Sequence, residues 1–242
     1  MKVDIFPDAD AAALGAASFI AARARRAVAD RGRFTVAVSG GRSPWRMLRT
    51  LAGEDVPWQG VHVLQTDERI APAGDPDRNL THLRDSLLAH APLAAERIHA
   101  MPVELSDLEA AAARYAETLE TVAGSPPVLD LAHLGLGSDG HTASLVPDDP
   151  VLDMNDAEVA ITGLYEGRRR MTLTYRTLNR ARQILWLVTG ADKAAMLVRL
   201  QDGDKAIPGG RVRADHAVVF ADQAAAAHLR SGALGSGTAT AR

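Results

Sequence analysis

The stretch "RFTVAVSGGRSPWRMLRTLAG", residues 33–53, decides the fold class. Its first part is a short apolar run rich in β-branched residues, which suits a buried strand. "SGG" then turns the chain. In "SPWRMLRTLAG", Ser43 can cap a helix, Pro44 can take its first position, and Gly53 falls just past its end. The segment therefore reads as strand, glycine turn and helix.

The rest of the chain repeats the alternation. The alanine-rich segment from Asp8 to Asp30 predicts a helix, with Asp8 and Asp10 at its start and Arg23, Arg25 and Arg26 in its later turns. "VHVLQTDER", residues 61–69, predicts the next strand, followed by a loop with Pro72, Gly74 and Pro76. Residues 79–90 read as helical, and "ERIHAM" as a short strand. Residues 106–123 form the clearest helix: Ser106 with Glu109 makes a capping box, and Leu108, Ala112, Tyr115, Leu119 and Val122 recur at helical spacing. "VLDLAHLGLG", "RMTLTYRTLN", "RQILWLVTG" and "HAVVFAD" predict further strands. A helical turn over Arg176–Arg180, a helix from Gly190 to Gln201 and a last short helix, "QAAAAHL", complete the series. Strands alternating with helices imply a largely parallel sheet covered on both faces. One α/β domain over residues 1–230 is expected, with a disordered tail at 231–242.

Composition narrows the function classes. The chain has 242 residues, 47% hydrophobic and only 4% aromatic, so its core is built from Ala, Leu, Val and Ile. A net charge of −3 gives no global basic field, and no nucleic-acid partner is expected. The absence of cysteine excludes disulfides, thiolate metal sites and cysteine nucleophiles. "MKVDIFPDAD" lacks the regions of a signal peptide, and no apolar run approaches the roughly 20 residues that cross a bilayer. The expected setting is the cytoplasm, with no membrane association.

In open parallel sheets, ligands sit beyond the carboxyl ends of the strands. Four predicted strand ends carry unusual chemistry. "SGGRSP" offers Gly40, Gly41 and Ser43 at a helix start, where backbone N–H groups and the helix dipole favour an anion. A plain tight turn is an equal reading of that piece. "TDER" brings Asp67, Glu68 and Arg69 together, which suits either phosphate binding or a surface salt bridge. "TGADKAAM" places Lys193 in a first helical turn, unfavourable unless an anion lies beside it. Arg170 and Lys205 are weaker cationic candidates.

"GLGSDGHTASLVP", residues 135–147, crowds Gly135, Gly137 and Gly140 around Asp139 and His141. An imidazole there can act as a general base near an anion-binding backbone, or simply cap the next turn. The spacing of a zinc helix is missing, so no metal is expected. His133, inside a strand, reads as a core residue.

Taken together and in this order, "SGGRSP", "TDER", "LGLGSDGHTASLVP", "RMTLT" and "TGADKAAML" resemble the family of 6-phosphogluconolactonases and glucosamine-6-phosphate isomerases and deaminases. The resemblance spans roughly residues 8–230, and residues 135–147 are its most specific piece. It implies a Rossmann-like sheet of the glucosamine-6-phosphate deaminase fold, with a phosphosugar lactone as substrate and no cofactor. Its catalytic histidine falls on His141, and its phosphate-holding cations on Arg69 and Lys193. Gly40, Gly41, Ser43, Asp67, Gly137, Asp139 and Arg170 complete the expected substrate site. Asp139 either orients His141 or contacts substrate hydroxyls. Arg42 and Val146 depart from the commoner pattern. The alternative within the fold is a sugar-phosphate isomerase or deaminase. The expected assembly is a monomer or a weak homodimer.

Overall fold

The computed structural model describes residues 1–229; the expected tail lies outside the described residues. Seven parallel strands form the main sheet: β1 (Lys2–Phe6), β2 (Phe34–Val38), β3 (Val61–Gln65), β5 (Ile98–His99), β6 (Leu131–Leu134), β9 (Ile184–Val188) and β10 (Ala217–Asp222). A second, antiparallel sheet contains β4 (Asp67–Arg69), β7 (Val159–Ile161) and β8 (Arg170–Leu173). The order in the main sheet is β1-β10-β9-β6-β2-β3-β5.

Side-chain alternation separates the two faces. Phe34, Val36 and Val38 of β2 join one core, and Ala37 joins the other. Leu185 and Leu187 of β9 face the first core, while Ile184, Trp186 and Val188 face the second. Helices α1 (Ala9–Arg31) and α2 (Arg42–Leu51) cover the first face. Helices α4 (Leu108–Ala123) and α6 (Ala194–Gln201) cover the second. This arrangement follows from connection handedness. The β1–β2 and β2–β3 crossovers run one way across the sheet and the β5–β6 and β9–β10 crossovers run the other. Right-handed crossovers of opposite direction place their helices on opposite faces. On α1 the buried face is nearly all alanine, from Ala12 to Ala27, with Ile20 as its one large residue, so the helix packs closely.

The expected α/β fold is present, with several corrections. "VHVLQTDER" is not one strand. The chain leaves the main sheet at Thr66, and Asp67–Arg69 pairs with β8 in the second sheet. Strands β1 and β7 were not anticipated; β1 is an edge strand in which only Val3 is buried, so it carries little periodic signal. Ser43 does not cap α2, whose cap is Gly41. The cap of α4 is Asp107, accepting from the Ala110 N–H at 3.0 Å, rather than Ser106. Residues 79–90 divide into α3 (Asn79–Leu83) and a π turn, Arg84–Leu88. The helix expected from Gly190 starts as a 3-10 turn at Ala191–Lys193, and residues 223–228 are turns instead of a helix.

Glu68, fully buried, ties the two sheets to the loop after β4. It accepts from the backbone N–H groups of Arg69 (2.8 Å), Asn79 (2.7 Å) and Leu80 (2.8 Å) and from the Gln65 amide (3.0 Å). Its ion partner Arg78 is buried too, 3.1 Å away, and also reaches Glu104 at 2.7 Å. Removing one member of a buried pair leaves an uncompensated charge. Glu68→Ala should therefore cost about 3–5 kcal/mol of stability, read as a lower urea midpoint. An unchanged midpoint would show that the loop does not depend on this carboxylate.

Candidate active site

Strands β2 and β6 are neighbours whose onward connections leave in opposite directions. A crevice opens at such a switch point because no helix crosses directly above the two strand ends. A cleft of about 710 Å³ lies there. Its wall brings together Gly40, Gly41, Ser43, Asp67, Arg69, Gly137, His141, Arg170 and Lys193. Asp139 stands behind His141 instead of on the wall, and Lys205 lies outside it.

The loop after β6 holds the imidazole firmly. Asp139 Oδ1 lies 2.7 Å from His141 Nδ1 and accepts the His141 backbone N–H at 3.0 Å. Its Oδ2 accepts the Tyr165 hydroxyl at 3.0 Å. Burial opposes ionisation of Asp139, but the His141 backbone N–H, the imidazole and the Tyr165 hydroxyl outweigh it and hold the carboxyl below its usual range. An ionised carboxylate only accepts, so Nδ1 carries a hydrogen, and in the neutral imidazole the lone pair is then on Nε2. Burial, and then the Asp139 carboxylate, push the Tyr165 hydroxyl up to about 12, so it stays a donor. Gly137 must lack a side chain: a Cβ there would meet His141 Nδ1 at 2.2 Å and Asp139 Oδ1 at 2.5 Å. Two of the glycine amides in this turn are already engaged. Gly137 N–H donates to the His141 carbonyl at 2.8 Å and Gly140 N–H to the Gly137 carbonyl at 3.0 Å. Those groups close the turn.

The opposite wall is cationic. Gly41, at φ 125° and ψ 164°, adopts a conformation that side chains resist, and delivers the chain into α2. Ser43 Oγ lies 2.5 Å from Thr189 Oγ1, tying this loop to the end of β9. Lys193 pairs with Asp192 at 3.0 Å. Arg69 and Arg170 are register partners in the β4–β8 ladder, two like charges set directly opposite each other. Arg69 is held by Asn79 Oδ1 at 2.5 Å and the Asp77 carbonyl at 3.2 Å. Arg170 is 4% exposed and pairs with Glu166 at 2.8 Å; its Nε has no protein partner. Asp67 accepts from Ser144 at 2.8 Å and from Thr66 at 3.1 Å. Arg42 stands exposed at the rim. His133 is a core residue, as its sequence position suggested: burial pushes its imidazole down to about 3.

Two residues of the site were missed. Asn79 positions Arg69 from α3, and its amide donates to the Asp67 carbonyl at 3.0 Å. Tyr165 reaches Asp139 from the β7–β8 hairpin. The one available signal was "YEG", a tight-turn pattern just before the strand candidate "RMTLTYRTLN".

The fold and this cleft define an open α/β protein with a cation-lined cleft beside a histidine oriented by Asp139. The chain belongs to the family of glucosamine-6-phosphate isomerases/6-phosphogluconolactonase, which it matches over residues 7–221. The 6-phosphogluconolactonase of Synechocystis sp. is 39% identical over 178 residues, covering 72% of this chain and 74% of the relative. That of Mycobacterium tuberculosis is 33% identical over 244 residues, covering 95% and 99%. Among solved structures, 6-phosphogluconolactonase from Thermotoga maritima superposes with a TM-score of 0.81 at 25% identity, over 91% of this chain and 98% of that one. A monomeric glucosamine-6-phosphate deaminase shares the fold, with a TM-score of 0.82 at 20% identity over 94% and 100% of the two chains.

The contact at Gly137 gives a direct test of the histidine's placement. On the reading of His141 as a general base, Gly137→Ala should displace the imidazole and lower turnover about 10²-fold, because misplacement of a catalytic group by an ångström costs that much. Steady-state kinetics beside a thermal melt separates this from unfolding. Wild-type turnover in a folded variant would move the working base elsewhere.

Proposed function

We propose that this chain hydrolyses 6-phospho-D-glucono-1,5-lactone to 6-phospho-D-gluconate, the second step of the oxidative pentose phosphate pathway, with His141 as general base. The supporting observation is an imidazole in the cleft wall with Nδ1 tied to Asp139 and a cationic wall across from it. Membership in the family and its curated lactonases supports the reaction.

Each group has a task in this reading. Arg69, Lys193, Ser43 and the Gly40–Gly41 loop hold the remote phosphate, and that binding energy orients the ring over the histidine. His141 Nε2 takes a proton from water as the water oxygen bonds to the lactone carbonyl carbon. The carbonyl oxygen becomes an oxyanion. When the intermediate collapses, the bond from that carbon to the ring oxygen breaks, and the imidazolium returns its proton to the leaving oxygen. The amides of Gly137 and Gly140 are engaged, so the oxyanion draws on a donor other than these two. Arg170, a cation in the cleft wall, is the group suited to it. Asp139 keeps the imidazole in one tautomer. The cytoplasm is the compartment that goes with this role; among the described residues no helix is long and apolar enough to cross a membrane.

The test is hydrolysis of freshly generated lactone followed against its spontaneous rate. His141→Ala should lose about 10²–10⁴ in kcat while still binding 6-phosphogluconate. Arg69→Ala should act mainly on KM. A wild-type protein that fails to accelerate hydrolysis, but releases ammonia from glucosamine 6-phosphate, would replace the lactonase with the deaminase of the same fold.

A further inference from the structure

We propose that Tyr165 is a positioning residue for the His141 base, acting through Asp139. The inference rests on the catalytic reading of His141 and deepens it. Tyr165 is not part of the cleft wall. Its hydroxyl nevertheless completes the shell of the carboxylate that the imidazole depends on. Asp139 Oδ1 serves the His141 ring at 2.7 Å and its backbone N–H at 3.0 Å, which leaves Oδ2 for one further donor. Tyr165 supplies it at 3.0 Å, while its oxygen stays 3.5 Å from Nδ1, too far to compete for that nitrogen. A carboxylate fixed at one oxygen only can swing about its terminal torsion, which is broad. Fixed at both, it presents one oxygen to Nδ1 in one plane.

The tyrosine is itself well anchored. Its ring meets the imidazole edge-on, at 5.6 Å between centroids and 67° between planes, and so blocks rotation of the histidine. The Arg170 guanidinium lies 4.8 Å over the same ring. The hairpin that carries it turns through Glu166 (φ 49°) and Gly167 (φ 78°), closed by paired backbone bonds between Tyr165 and Arg168. Arg168 ties the hairpin to Asp75 and Asp77 at 3.3 and 2.9 Å, and Gly163 N–H ties it to Asp149 at 2.9 Å. Apart from the ring contact with His141, none of these anchors involves Asp139 or His141. The hairpin's backbone turn and its ties through Arg168 and Gly163 are thus built independently of the groups it holds.

The experiment removes only the hydroxyl. Y165F keeps the ring and its packing. Its kcat should fall about tenfold, the range for one hydrogen bond to a charged group, with KM for the lactone within about twofold of wild type. If the tyrosine acts through Asp139, adding Y165F to D139N should change kcat by less than about twofold, since residues acting as a unit are not additive. In the ligand-free protein the His141 Nδ1–H proton resonance should broaden through faster exchange with water. Wild-type kcat in Y165F, a tenfold loss that persists in full on D139N, or an unaltered Nδ1–H resonance would each overturn the proposal. The resonance needs no substrate. A wild-type protein inert toward the lactone would therefore sink the lactonase reading and leave this measurement standing.

Discussion

Right-handed crossovers force the geometry on which everything else depends. From β2 the chain moves toward β3 with its helix on one face, and from β6 it moves toward β9 with its covering on the other. The ends of β2 and β6 are adjacent, yet nothing spans them. The loops that follow these strands, around Gly40–Gly41 and Gly137–His141, therefore meet across a gap instead of packing against a helix. One loop ends in the N-terminus of α2 and the other in a histidine. The pairing of an anion-favouring backbone with an imidazole is a consequence of where the winding reverses.

The second sheet adds charge to that gap. Thr66 donates its N–H to the Val38 carbonyl at 3.1 Å, and beyond it the chain turns out of the main sheet. This brings Arg69 into register with Arg170, an arrangement that costs stability in a ladder unless something negative lies between or beside the two. Glu166 pairs with Arg170, while among the described residues Arg69 is held by carbonyl-type oxygens from Asn79 and Asp77. Arg69 thus keeps its full charge for a ligand. The Glu68 carboxylate sits behind it, spent on backbone amides and Arg78, and fixes the strand without cancelling the cation in front. Two adjacent residues of "TDER" serve opposite ends, one holding the scaffold and the other facing the cleft.

How much of this was legible in the sequence depended on distance along the chain. The strand–glycine–helix unit at 33–53 and the histidine loop at 135–147 were readable because each is contiguous and its residue types have few other uses. The break at Thr66 was not, since "VHVLQTDER" keeps strand-like character across a change of sheet, and a pattern cannot report which neighbour a strand takes. Asn79 and Tyr165 escaped for a related reason. Each acts on a partner far away in sequence, at separations of 10 and 26 residues, through one polar atom. The glycine amides were misjudged because sequence shows that an N–H exists but not which carbonyl it already serves.

The β7–β8 hairpin shows why the two halves of the cleft do not work as separate devices. Arg170 begins the strand that leaves the hairpin, and Tyr165 stands on the hairpin's other arm with that guanidinium over its ring. A ligand anion drawn to Arg170 pulls on the same short ladder that fixes the Tyr165 hydroxyl against Asp139. In the proposed reaction the hairpin carries both the oxyanion's cation, Arg170, and the tyrosine that fixes the carboxylate behind His141. The linkage is short: guanidinium, aromatic ring, hydroxyl, carboxylate, imidazole, each in contact with the next.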